Sequence, residues 1–241
     1  NEEETRLVER TVPGARARTL PLFLHPTRAS SAAPTDEPTT GLLFVGGYEH
    51  TPNRDAIDWM VREIFPLVRQ KLPQVELHLC GSGHPASAQQ AAPPGVLYHV
   101  NLSDEALQEH YRSARVCVVP LRYGAGLKGK VVEALFHQKP LVTTTVGAQG
   151  LPELAAFSAL ADDAPSFADA IVRFYCDDTA RTAAQSAAGA YVRSRFSTEA
   201  ALAVLERDLT FRRASDRVDG VSRGEIRANQ AERQVGTIRE T

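Results

Sequence analysis

The sequence has few cysteines, little net charge and no long apolar run. Its 241 residues include three cysteines, and the formal net charge is -2. Cys80, Cys117 and Cys176 lie far apart in the chain, which gives no basis for a disulfide framework or a thiol nucleophile. A charge near zero gives no electrostatic reason to expect nucleic acid as a partner. No stretch approaches the ~20 apolar residues of a membrane-spanning helix, so we predict no transmembrane segment.

Motifs of several enzyme classes are also missing. The seven histidines show no His-Glu-x-x-His pattern and no Cys-x-x-Cys pair accompanies them, so we predict no metal site. The Gly-x-Ser-x-Gly elbow of hydrolases does not occur. The full dinucleotide fingerprint, Gly-x-Gly-x-x-Gly with an acidic residue ~20 positions on, is not met at residues 124–129. We therefore expect no nicotinamide, and no other cofactor is predicted.

Composition divides the chain into four parts. Residues 1–26 combine an acidic, helical start with a short apolar piece, and nothing in them resembles a signal peptide. Residues 27–40, rich in Ala, Ser, Thr and Pro, have the composition of a linker. Residues 41–212 are predicted to form the folded domain, and residues 213–241 a disordered or frayed tail. The acidic start favours a cytoplasmic location, with peripheral membrane association left open.

From Gly41 onward, short apolar runs alternate with helical patterns. Strands are predicted at residues 42–46, 75–80, 96–100, 115–120, 140–146 and 157–160. Helices are predicted after Asn53, which could act as a cap or contribute a polar group to the site, and at residues 104–112, 127–137, 165–176, 179–195 and 198–211. This alternation is typical of an α/β fold, a Rossmann-like doubly wound parallel sheet. Glycine turns end four of the strands, so they should share the edge at which such sheets bind ligands.

The strongest chemical signal is the run Gly124-Ala125-Gly126-Leu127-Lys128-Gly129-Lys130, between a strand and a helix. Such a turn leaves backbone N–H groups unpaired at the positive end of the helix dipole, which favours an anion. Lys128 and Lys130 add full positive charges, and Glu133 could accept hydrogen bonds from sugar hydroxyls. Phosphate followed by sugar fits this set, whereas the plainer interpretation is three solvated surface side chains.

Residues 124–135, with 139–144 and 146–151, resemble the donor-binding domain of retaining nucleotide-sugar glycosyltransferases. The resemblance is to family 4, glycosyl transferases group 1, whose members have the two-domain GT-B fold. A second match, residues 42–48, resembles the first strand and loop of that domain. Because several segments match in the same order, the resemblance is more specific than a single glycine motif. It implies that this chain is the C-terminal half of a GT-B fold.

The resemblance also implies roles for individual residues. Lys128 and Lys130 would be the catalytic residues, neutralising the donor diphosphate as it leaves. Glu133 matches the second glutamate of the family's Glu-x7-Glu motif and would bind the ribose. The first glutamate would fall at Ala125, which cannot hydrogen-bond a sugar. The remaining donor-binding positions are predicted at Gly46, Gly47, Tyr48, Leu102, Gly124, Ala125, Gly126 and Leu127.

The function implied by this resemblance is metal-independent transfer of a hexose from a UDP or GDP sugar, with retention, to a saccharide, lipid or metabolite. Residues 1–26 look like the end of a preceding domain that would bind the acceptor, so we expect the chain alone to bind nucleotide without turnover. Two alternatives stay open. Ala125 favours a non-catalytic nucleotide-sugar-binding or interaction module that kept the fold, while an epimerase would need acidic groups that we do not find.

Overall fold

The computed structural model describes residues 2–20 and 39–207 of the chain. Within these residues the fold is a single sheet of six parallel strands with flanking helices, in the order β3-β2-β1-β4-β5-β6. The strands are β1 (Thr40–Val45), β2 (Leu77–Cys80), β3 (Val96–His99), β4 (Ala114–Val119), β5 (Leu141–Thr143) and β6 (Ala159–Leu160).

Nine helices accompany the strands in the described ranges. They are α1 (Glu2–Thr11), α2 (Thr51–Trp59), α3 (Phe65–Lys71), α4 (Ala86–Gln90), α5 (Asp104–Ser113), α6 (Gly129–Phe136), α7 (Ala164–Cys176), α8 (Asp178–Arg195) and α9 (residues 198–207). A π-helical segment, Met60–Ile64, joins α2 to α3, and a 3-10 turn, Leu154–Ala156, precedes β6.

The core lies between the central strands and the helices beside them. Leu42 of β1, Val116 and Val118 of β4, and Val131 and Leu135 of α6 are fully buried. Because both faces of a parallel sheet are covered, its strands are near-continuous apolar runs, and that pattern made them recognisable in the sequence. The Rossmann-like α/β prediction is confirmed. The strand order reverses between β1 and β4, which is where sheets of this type bind ligands.

Several predicted boundaries were wrong for identifiable reasons. Helix α2 begins at Thr51, with His50 as its N-cap residue, so Asn53 is not the cap; Pro52 in the first turn fixes a helical φ and starts the helix earlier. Strand β5 ends at Thr143 instead of continuing to residue 146. There the Thr144 hydroxyl accepts a hydrogen bond from the Gly147 amide at 3.0 Å, which starts a turn. The short helix α4 was not predicted.

Only some of the predicted domain limits fall within the described residues. Thr40 belongs to β1, so the predicted linker at 27–40 is at least one residue too long at its end, and most of it lies outside the described residues. The predicted tail, 213–241, also lies outside them. The described residues up to Ala201 belong to one compact unit. None of the helices in the described ranges has the length and apolar character needed to cross a membrane.

Candidate functional site

The predicted site residues collect at the carboxyl ends of β1 and β4. Gly46 and Gly47 follow β1, and residues 120–128 link β4 to α6. Adjacent parallel strands place these two loops side by side, and the loop after β2 joins them, because the Tyr48 amide donates to the Ser82 carbonyl at 2.8 Å. The predicted convergence of the glycine turns on one edge is therefore confirmed.

The glycine turn, which we define as residues 124–127, presents open backbone donors. Gly124 and Gly126 have φ values of 132° and 73°, a region that only glycine enters at little energetic cost. In the part of the chain that the structure describes, none of the four amides of this turn donates a hydrogen bond. Exposed amides at the entrance to α6 form the kind of concave surface that binds anions.

Lys128 lies directly above this turn. It is the N-cap residue of α6, is only 9% exposed, and its ammonium bends back over the loop. The Nζ atom donates to the Gly126 carbonyl at 2.6 Å and to the Gly124 carbonyl and Gln149 Oε1 at 3.3 Å each. Burial lowers the pKa of Lys128 from its usual value. A cation held at a helix N-terminus opposes the helix dipole, so a bound anion would relieve an unfavourable arrangement.

Lys130, in the first turn of α6, points across to the loop after β1. Its Nζ donates to Asn53 Oδ1, and Asn53 Nδ2 donates in turn to the Gly47 carbonyl at 2.8 Å. The ammonium also lies 5.2 Å from the centre of the Phe44 ring. Burial, and secondarily the charge of Lys128, lower the pKa of Lys130 to about 8. The two lysines, which we call the lysine pair, therefore face the same crevice.

Glycine is required where the loops meet. A Cβ on Gly46 would lie 2.8 Å from Asn53 Nδ2 and 3.1 Å from Lys130 Nζ, and a Cβ on Gly47 would lie 3.1 Å from the Ser82 hydroxyl. A Cβ on Gly81 would overlap the Gly46 carbonyl oxygen. These contacts bring backbone from β1 and β2 within reach of the lysine pair, as a ligand held by main-chain groups would require.

The other predicted site residues contact groups other than the lysine pair. The Glu133 carboxylate lies 3.3 Å from His137 Nε2, one helical turn along α6. Tyr48 is half-buried, with its ring 5.5 Å from that of His84. Leu102 packs partly buried against the core. The ribose role of Glu133 and the base contacts of Tyr48 and Leu102 therefore stay predictions.

Charge at the rim of the crevice is largely paired. Arg122 donates two hydrogen bonds to the Asp55 carboxylate, from Nε at 3.0 Å and from Nη2 at 2.5 Å. This contact raises the pKa of Arg122. Its guanidinium also lies over the Trp59 ring. On another flank, a carboxylate oxygen of Glu4 lies 3.9 Å from the Cβ position of Gly126. The lysine pair is thus the part of this crevice best suited to an anion.

The structure defines the roles of two further side chains at the site. Asn53 is not a helix cap; it is buried and bridges Lys130 to the loop after β1. Gln149, which the sequence did not single out, binds Lys128 through its Oε1 atom. An asparagine just before a helical pattern suits both a cap and a buried bridge, so residue type alone cannot distinguish them.

Comparison with known proteins yields one sequence relative and many structural ones. A protein from Klebsiella pneumoniae, described as an uncharacterized 44.6 kDa protein in cps region, is 27% identical over 116 residues, covering 45% of this chain and 30% of that protein. TarM of S. aureus, solved in a complex that includes UDP, matches with a TM-score of 0.67 at 18% identity, over 87% of this chain and 42% of TarM.

Two further solved structures share the fold. Sucrose-phosphate synthase from Thermosynechococcus elongatus matches with a TM-score of 0.62 at 24% identity, over 90% of this chain and 57% of that one. The pneumococcal O-GlcNAc transferase GtfA, in complex with UDP and GlcNAc, matches with a TM-score of 0.65 at 16% identity, over 87% of this chain and 44% of GtfA.

The chain spans about half the length of these solved structures. Identities this low establish the fold, the Rossmann-like half of a GT-B structure, and no more. Family membership rests on separate ground, since the family model for glycosyl transferases group 1 matches residues 39–177, more than half of the chain. With the sheet, the glycine turn and the lysine pair in place, the chain belongs to the glycosyl transferases group 1 family.

Proposed function

We propose that this chain is the donor-binding half of a retaining hexosyltransferase and holds the diphosphate of a UDP or GDP sugar at the β1–β4 crevice. The observation that carries the proposal is the convergence of the open amides of residues 124–127 with the ammonium groups of Lys128 and Lys130. The backbone amides supply hydrogen-bond donors in fixed positions. The flexible lysine side chains supply positive charge that can move with the phosphate.

The state of the two ammonium groups supports an anionic ligand. Both pKa values are lowered by burial, which means that the charged forms of the two side chains are destabilised by their surroundings. A diphosphate would compensate both charges and replace the weaker carbonyl contacts of Lys128. As the bond to the sugar breaks, negative charge grows on the diphosphate, so the same groups would stabilise the transition state more than the ground state.

Two structural relatives support a nucleotide ligand. TarM and GtfA were each solved with UDP, and both share the fold of this chain. The family resemblance assigns the ribose to Glu133 and the base to the loop that contains Leu102. These assignments, together with the hexose and metal-independent transfer, are part of the proposal.

A second candidate function rests on Ala125. The first glutamate of the family motif would stand there, and alanine offers no group to a transferred sugar. A non-catalytic module would still bind a nucleotide diphosphate at the lysine pair, but it would neither transfer nor hydrolyse the sugar. The two candidates therefore differ in turnover and not in nucleotide binding.

Titration calorimetry with UDP and GDP on the 241-residue chain tests the binding step. We expect binding of one of them, and each of Lys128→Ala and Lys130→Ala should weaken it by about tenfold or more, because a hydrogen bond to a charged group contributes about 1.5–3 kcal/mol. Lys71→Ala is the matched control: Lys71 lies on α3, is exposed and pairs with Asp169 at 2.6 Å. A folded chain that binds neither nucleotide at millimolar concentration would contradict the proposal.

Turnover has to be measured on the full-length protein. The proposal places the acceptor site in a preceding domain, to which residues 1–26 would contribute the last elements, and it keeps the predicted cytoplasmic location. Release of UDP or GDP from a labelled nucleotide sugar, with the sugar appearing on an acceptor in the original anomeric configuration, would support the enzyme. Binding without any release would favour the non-catalytic module instead.

A further inference from the structure

Three histidines that the sequence separates widely lie together on one face of the sheet. His78 belongs to β2, His99 ends β3, and His110 lies on α5. His78 pairs in register with Leu97, so His99, two residues further along, has its side chain on the same face as His78. Helix α5 brings His110 onto the same site, and we call these residues the histidine cluster.

The geometry of the histidine cluster matches what a metal ion requires. One ring nitrogen from each residue lies within 4.8 Å of the others. His78 Nδ1 and His99 Nε2 are 3.0 Å apart, and the ring centres of His99 and His110 are 4.2 Å apart. Tetrahedral zinc with Zn–N bonds of 2.0–2.1 Å places its nitrogen ligands about 3.3 Å apart, so small side-chain movements would complete the site.

A carboxylate stands in the position that orients metal-binding histidines. If His78 binds through Nδ1, its Nε2 faces Glu76, whose Oε2 lies 3.6 Å away. Carboxylates that accept from the second ring nitrogen fix the ring orientation and make it a better ligand. Next to the same nitrogen, a Cβ on Gly41 would lie 3.0 Å from His78 Cδ2 and 3.1 Å from His78 Nε2, so glycine there leaves room for the imidazole.

The protonation state of the cluster also suits a cation. Burial, followed by the charges of neighbouring histidines, lowers the pKa of His78, and the same causes lower that of His99 to about 4. Burial also lowers the pKa of His110. Neutral imidazoles are the form that binds metal ions. All three residues keep some exposure, which leaves a path for an ion to enter.

We propose that His78, His99 and His110 form a binding site for a divalent transition metal ion, with Zn²⁺ as the expected occupant. Within the described ranges no fourth histidine, cysteine or acidic residue joins the group, so water would complete the tetrahedral shell. The ion would connect β2, β3 and α5 around the loop of residues 100–103. None of the three ligands belongs to the lysine pair, so the proposal does not depend on diphosphate binding there.

Competition between the full chain and a chromophoric zinc chelator at neutral pH tests the site. We use a tag-free chain carrying Cys176→Ser, because Cys176 is an exposed thiol that could bind zinc by itself. One Zn²⁺ should bind per chain, and His78→Gln, His99→Gln and His110→Gln should each weaken binding by at least 100-fold. His50→Gln is the matched control, since His50 is exposed at the start of α2.

Glu76→Gln separates a metal site from a structural histidine cluster. Loss of such a supporting carboxylate should reduce zinc affinity by about 10–100-fold while the three ligands remain. Circular dichroism with a chelator present shows that each variant folds, and zinc should raise the Tm of the parent chain but not of the histidine variants. Co²⁺ should give the visible spectrum of nitrogen and oxygen ligands without a thiolate charge-transfer band.

Three results would overturn the proposal. One is absence of zinc binding at micromolar concentration by the folded parent chain. Another is unchanged affinity in all three histidine variants, and the third is a thiolate band in the Co²⁺ spectrum. Each of these points to adventitious binding elsewhere or to no binding.

Discussion

Buried or half-buried lysines contact both ends of strand β4, and their surroundings differ. At the amino end, Lys139 is 7% exposed, and its Nζ donates to the carbonyls of Arg112 and Ala114 at 2.8 and 3.0 Å. At the carboxyl end, Lys128 and Lys130 lie beside a turn with four unpaired amides. Burial lowers the pKa of the lysines at both ends.

The comparison shows that a buried lysine with a lowered pKa does not by itself identify a ligand site. Lys139 closes the junction between α5 and β4 by donating to a carbonyl at the end of the helix and to one at the start of the strand. The lysine pair is distinguished by the open donors beside it, which only an added acceptor can pair. One end of the strand is therefore built for stability and the other for binding, and substitutions should separate the two effects.

Replacing Lys139 should have the largest effect, on stability alone. Lys139→Met keeps the length of the side chain but removes its hydrogen bonds to the carbonyls of Arg112 and Ala114, which should lower the free energy of unfolding by about 1–3 kcal/mol. Urea denaturation measures this loss, and Lys71→Met on the exposed surface of α3 should change it by less than about 0.5 kcal/mol. If Lys139→Met weakened UDP binding by the folded chain, the comparison would fail.

Asn53→Asp should affect binding with an intermediate magnitude. The new carboxylate would pair with Lys130, raise its pKa and repel a diphosphate, so we expect UDP affinity to fall by about tenfold, or 1.4 kcal/mol. Calorimetry against the parent chain measures the change. Gln70→Glu makes the same change of charge on the exposed surface of α3 and should leave UDP affinity as it is. Equal or tighter binding by Asn53→Asp would show that Lys130 does not contact the phosphates.

The smallest expected effect is a dependence of binding on pH. Because burial lowers the pKa of Lys130 to about 8 and an anion favours its charged form, UDP binding should take up protons. Affinity should therefore decrease as the pH rises from 7.5 to 9, by about threefold to fivefold. Lys130→Arg, whose guanidinium stays charged, should bind with little pH dependence over this range. A parent chain with the same flat profile would exclude a titrating Lys130 from the site.

Much of the fold was predictable because the signals were local. Residues 115–120 form an apolar run long enough for a buried strand, and Ser103 marks the start of α5, where its hydroxyl accepts from the Ala106 amide at 3.2 Å. The glycine turn and the lysine pair were found for the same reason, since all of their residues fall within one short segment. Local patterns of this kind can be recognised without knowing which distant segments meet in the fold.

Features that depend on the alignment of distant segments could not be predicted. The bridge from Lys130 through Asn53 to Gly47 joins α6 to α2 and the loop after β1, and Lys130 and Asn53 are 77 residues apart in sequence. The histidine cluster depends on the register between β2 and β3, because a shift of one residue would move His99 to the opposite face. Spacing in the chain carries no information about either arrangement.

The close approach of Gly81 to the Gly46 carbonyl limits how this crevice can vary. Position 81 does not have to touch a ligand to matter, because any side chain there would push the neighbouring loop out of place. In a saturation library, we expect position 81 to accept almost no replacement, while the exposed Tyr123 nearby should accept many. Attempts to redirect the protein toward other ligands should therefore begin on the rim and leave the contact between these two loops intact.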